Sequence, residues 1–129
     1  MARYSILVTS SPFTSNGGAN ALAYCQQLVR DNHTIDQVFF YQDGVFHANA
    51  FMHPPSDEPN SVKQWVAFHE QTNTPLVVCI TAAARRGVLS QQEAEELGYN
   101  AYNLLPPFSQ TGLSDFFTKL HDSDNLVQF

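Results

Sequence analysis

Cys79 closes an apolar run, Pro75-Leu-Val-Val-Cys-Ile-Thr81, and is followed by a small-residue, basic turn, Ala82-Ala-Ala-Arg-Arg-Gly87. A thiol placed where a buried strand gives way to a loop is held by the sheet and stays open to a reaction partner. Two of the six basic residues in the chain, Arg85 and Arg86, fall in this turn, and nearby positive charge favours the reactive thiolate. If the turn begins as a helix, its free N–H groups favour an anionic sulfur further. Against this stands the ordinary role of free cysteine as a small buried hydrophobe. Position weighs toward chemistry, because ligands in open α/β sheets collect at the carboxyl ends of strands. Cys79 is therefore the candidate nucleophile, and Arg85 and Arg86 are candidate thiolate-stabilising or partner-contact groups. Both side chains cannot point the same way from a turn, so at most one is expected to face the sulfur.

The remaining chemistry-bearing residues read differently. Cys25 shares a helical face with Ala21, Leu22, Leu28 and Val29, which marks it as packing. Both cysteines are expected as free thiols, since two in a reducing compartment are poor grounds for a disulfide and form no CxxC pair. The five histidines (His33, His47, His53, His69 and His121) lack the short paired spacing of a metal site, so no metal is implied. His47 and His53 follow the second strand, on the same side of a sheet as Cys79, where either could act as a base. The loop Ser15-Asn-Gly-Gly18 has the glycines of a phosphate cradle but neither GxGxxG nor a Walker lysine, so a flavin or nucleotide there is a subordinate reading.

The elements that must hold these residues follow from periodicity. Ile6-Leu-Val8 reads as a buried strand leading into a turn-rich loop, Ser10 to Gly18. A helix is expected from Asn20 to about Asn32-His33. Ile35 to Tyr41 reads as a second strand stopped by Asp43-Gly44. Val45 to Asn60, with Pro54, Pro55 and Pro59, excludes a long helix and reads as a surface loop with a short helix at Val45–Asn49. Ser61 opens a further helix that ends near Asn73, placing Val62, Trp65, Val66 and His69 on one face. Ser90 and Glu93 have capping-box spacing, and Gly98 supplies the stop. Beyond the Pro106-Pro107 break, Leu113, Phe116, Phe117 and Leu120 keep helical period, and Leu126-Val-Gln-Phe129 reads as a final strand.

Strands alternating with helical patterns predict an α/β fold, an open, mostly parallel sheet with helices on both faces. With 129 residues, the chain reads as one domain, residues 1–129. Twelve acidic residues against six basic ones give a net charge of −6, which argues against direct nucleic-acid binding. The first apolar run is too short for a signal segment, and no run reaches the roughly eighteen residues of a membrane span. A soluble, cytoplasmic protein without a membrane partner is expected.

Three separated stretches carry a resemblance: Val38-Phe-Phe-Tyr-Gln-Asp-Gly-Val45 with Ala48-Asn49, Cys79-Ile-Thr-Ala-Ala-Ala-Arg-Arg-Gly87, and the terminal Val127-Gln-Phe129. In order and spacing across nearly the whole chain they resemble the TusD/DsrE group of sulfurtransferase subunits, the TusD branch most closely. The resemblance implies a DsrE-like fold with flavodoxin-like layering and a sulfur relay without cofactor. In such a relay the cysteine matching Cys79 takes sulfane sulfur as a persulfide from a TusA-like donor and passes it to a TusE-like acceptor. It further implies a heterohexamer with TusB-like and TusC-like subunits, and tRNA wobble 2-thiouridine as the destination. DsrE-type trafficking in sulfur oxidation, and a non-catalytic or flavin-binding subunit, are the alternatives.

Overall fold

Burial on both faces explains why the central strands end in continuous apolar runs, Ile6 to Val8, Val38 to Phe40 and Leu76 to Cys79. β1 (Arg3–Val8), β2 (Thr34–Phe40) and β3 (Leu76–Cys79) form the middle of a sheet edged by β4 (Phe108–Thr111) and β5 (Asn125–Gln128). In the computed structural model, which describes all 129 residues, the strand order is β4-β3-β2-β1-β5. Every neighbouring pair is parallel. Val38, Phe39 and Phe40 are fully buried, as are Ile6, Val8 and Val78.

Parallel strands need crossovers, and these supply α1 (Gly17–Arg30), a 3-10 helix (Gln42–Ala48), α2 (Ser61–Thr72), α3 (Ile80–Arg85), α4 (Gln91–Leu97) and α5 (Leu113–Leu120). Right-handed connections that step β1→β2→β3 in one direction lay α1 and α2 on one face, and the return from β4 to β5 puts α5 on the other. The side chains agree. Adjacent strand residues point to opposite faces; Phe40 meets Trp65 of α2 edge-on at 5.2 Å, whereas Phe39 stacks on Phe116 of α5 at 4.6 Å. Trp65 and Phe68 are the buried residues of α2, and burying such a ring contributes about 1.5–3 kcal/mol.

The caps are local and specific. Asn60 Oδ1 accepts from Lys63 N at the start of α2, and Asn73 ends it in the left-handed region with φ 58°. Ser90 and Glu93 form the reciprocal capping box of α4, and Gly98 follows with φ 81°.

Five local points differ from or add to the sequence reading. The first helix begins at Gly17, three residues before Asn20, and the short helix expected at Val45–Asn49 starts at Gln42, so Asp43-Gly44 lies inside it. No loop follows Cys79: β3 passes straight into α3, which ends at Arg85, with Gly87 just beyond it at φ 75°. β4, Phe-Ser-Gln-Thr, has too little apolar alternation to be seen in sequence and pairs through its backbone with β3. Of the apolar residues of α5, only Phe116 is buried; Phe117 is 52% exposed. No helix is long and apolar enough to cross a membrane.

Candidate functional site

Cys79 is the last residue of β3 and the N-cap of α3, with extended backbone angles, so the unpaired N–H groups of the first turn of α3 begin beside it. Its neighbours are what the sheet dictates. Val78 packs in the core beneath it, and Ala82 and Ala83 bury the inward face of α3. The sulfur is less open than a strand-to-loop junction suggests, because the immediate turn into α3 folds the chain over it: Cys79 is 5% exposed. It nevertheless lines a cavity of about 460 Å³, shared with Tyr41, Gln42, Arg85, Arg86 and Gly112. A group that is to reach this thiol must therefore enter the cavity.

Both arginines line the cavity, but they do different things. Arg86 Nε donates to Asp43 Oδ1 at 2.8 Å, and its Nη1 donates to the Ala82 carbonyl at 3.1 Å. It thus ties the 3-10 helix to α3 across the cavity mouth. Arg85 is exposed and makes no ion pair or side-chain hydrogen bond, which leaves one guanidinium uncommitted beside Cys79. Gln42, which also lines the cavity, has φ 51°, a left-handed conformation that costs a non-glycine residue about 1–2 kcal/mol. Sequence reasoning missed Asp43, Tyr41 and Gln42, because nothing in the chain order says that the first turn of the 3-10 helix reaches Arg86.

The other candidates lie apart from this cavity. Cys25 is fully buried in α1, and burial pushes its thiol up to about 12. Neither cysteine is in a disulfide. His47 and His53 do not line the Cys79 cavity, so the reading of either as its base is not supported; they line a separate one of about 590 Å³. His47 is 1% exposed, and burial pushes its imidazolium down to about 4, opposed by a hydrogen bond to a backbone carbonyl. Nε2 lies 3.0 Å from the Ser10 carbonyl, which can only accept, so Nε2 carries the proton and Nδ1 accepts from the Ser61 hydroxyl.

The glycine loop has a packing explanation. A Cβ at Gly18 would lie 2.2 Å from His47 Cε1, and the Gly17 N–H is already taken by Ser15 Oγ at 2.9 Å. The cavity beside this loop holds Glu58 and no lysine or arginine, an unfavourable field for a phosphate.

A family model described as the DsrE/DsrF-like family matches residues 2–129. A protein of Serratia proteamaculans named sulfurtransferase TusD is 38% identical over 129 residues, covering all of both chains. Its namesake in Erwinia tasmaniensis is 37% identical over 127 residues, 98% of this chain and 99% of that protein. Among solved structures, the ychN protein from E. coli superposes with a TM-score of 0.77 over the full length of both chains at 18% identity, a likeness of fold.

Proposed function

The chain belongs to the DsrE/DsrF-like family, and from that premise we propose that it is a sulfurtransferase of a sulfur relay, with Cys79 as its carrier. Cys79 accepts a sulfane sulfur as a persulfide from a TusA-like donor and hands it to a TusE-like acceptor. The destination is the 2-thiouridine of the tRNA wobble position, reached in the cytoplasm through an assembly with TusB-like and TusC-like subunits.

One observation carries the reading: Cys79 ends a central strand at the wall of a cavity that it shares with two guanidinium groups. Persulfide transfer needs no more than a reachable sulfur whose anion is well surrounded, because the chemistry is thiol exchange at a sulfur–sulfur bond. Cys25 meets neither condition, being sealed in the core with its thiol pushed up by burial. The acidity of the chain, net −6, suits delivery to another protein better than a grip on tRNA.

The exposed apolar side chains support assembly. Leu113 at 38% and Phe117 at 52% on α5, with Leu126 at 45% on the edge strand β5, leave that face of the sheet thinly covered. Such groups favour a protein interface over water.

The reading is tested in the living source organism. Replacing Cys79 by serine is expected to abolish wobble 2-thiouridine in bulk tRNA, measured by nucleoside chromatography, while Cys25→Ser leaves it in place. Unchanged thionucleoside in the Cys79→Ser strain defeats the tRNA destination, and a defect confined to sulfur oxidation moves the relay to that metabolism.

A further inference from the structure

One buried side-chain polar atom in the chain finds no hydrogen-bond partner, Thr111 Oγ1. An unpaired buried hydroxyl is unfavourable and rare in native proteins, and each instance calls for an explanation. Its place in the sheet offers one. Thr111 ends β4 and stands in register with Cys79, the end of β3. In a parallel ladder, paired residues project to the same face from strands about 4.8 Å apart. The two residues after Thr111, Gly112 and Leu113, line the cavity that Cys79 lines. Thiol and hydroxyl are therefore neighbours at the same strand ends, yet no hydrogen bond joins them.

We propose, building on the reading of Cys79 as a persulfide carrier, that Thr111 is the hydrogen-bond donor for the outer sulfur of the loaded cysteine. Loading is a balanced exchange: the Cys79 thiolate attacks the outer sulfur of a donor persulfide, a new sulfur–sulfur bond forms, and the donor's own bond breaks with its electron pair leaving on the donor thiolate. No external oxidant or reductant enters. The product sets a second sulfur about 2.05 Å beyond the first, so an acceptor now extends into space the bare thiol does not reach. The idle hydroxyl of the unloaded state is thus the donor of the loaded one. A neutral hydroxyl suits a carrier, since it steadies the outer sulfur without the tighter hold of an ion pair, and transfer to the next thiolate remains open.

The test uses the full-length chain loaded with glutathione persulfide, freed of excess reagent, given a fixed concentration of reduced glutathione as the thiol that takes the outer sulfur away, and followed over time by intact-protein mass spectrometry. The wild-type chain is expected to gain one sulfur on Cys79. Thr111→Val, matched in shape but lacking the hydroxyl, is expected to load and then lose that sulfur about tenfold faster, the effect of one hydrogen bond to a charged sulfur. Thr111→Ser should keep the wild-type lifetime. Thermal unfolding of the valine variant should be unchanged or raised, because the deleted hydroxyl has no partner to abandon. A valine variant whose persulfide lasts as long as the wild type's overturns the donor role and leaves Cys79 as carrier. A serine variant that decays like the valine one also overturns it, by pointing to packing. A wild-type chain that takes no sulfur on Cys79 overturns both readings together.

Discussion

Two buried groups of this chain are defined by the water they have lost. At Cys25 burial pushes the thiol up to about 12, so at neutral pH that sulfur stays a packed hydrophobe. At His47 burial pushes the imidazolium down to about 4 from an ordinary value near 6.5. The folded state therefore binds this proton more weakly than the unfolded chain does. The resulting stability is fully present above about pH 6.5 and is lost as pH falls toward about 4. Between about pH 7 and pH 4.5 this one group should remove on the order of 2–3 kcal/mol. Denaturant unfolding at the two pH values measures it, and His47→Gln should show a correspondingly smaller acid loss. Equal acid sensitivity in the variant would contradict the assignment.

Helix and strand junctions carry the next level of the account. His47 reaches Ser10 and Ser61 only because Gly18, in the first turn of α1, leaves room for its ring. Gly18→Ala should displace that ring and destabilise the fold by about 1–3 kcal/mol, seen as a lowered midpoint in denaturant. An unchanged midpoint would mean that the ring has a second place to sit. The central elements were legible in sequence because burial on both faces leaves a plain mark: Ile6 to Val8, Val38 to Phe40 and Leu76 to Cys79 are unbroken apolar runs. The caps at Ser90 and Gly98 were equally plain, each being a matter of a few adjacent residues. What escaped depends on contacts distant in the chain. β4 exists because β3 offers its edge, and Asp43 matters because Arg86 reaches back 43 positions to it. Thr111 carried no local signal at all, since its meaning comes from the register that sets it beside Cys79.

For the molecule as a whole, the sheet order determines where chemistry is available. β3 lies one strand in from the β4 edge and is paired on both sides, while Cys79, in register with Thr111 of β4, ends the strand at the cavity. The opposite edge, β5, and Phe117 on α5 offer exposed apolar groups outside the set of residues that line the cavity with Arg85 and Arg86. Carrier site and apolar assembly surface can then coexist on one small chain. The most direct measurement is peptide mass spectrometry of the protein isolated with its co-purifying subunits, after loading with a persulfide donor and trapping with an alkylating reagent. The account predicts one additional sulfur on the Cys79 peptide and none on the Cys25 peptide. A Cys79 peptide that never carries the extra sulfur, under conditions in which the donor loads another subunit of the same assembly, would contradict it.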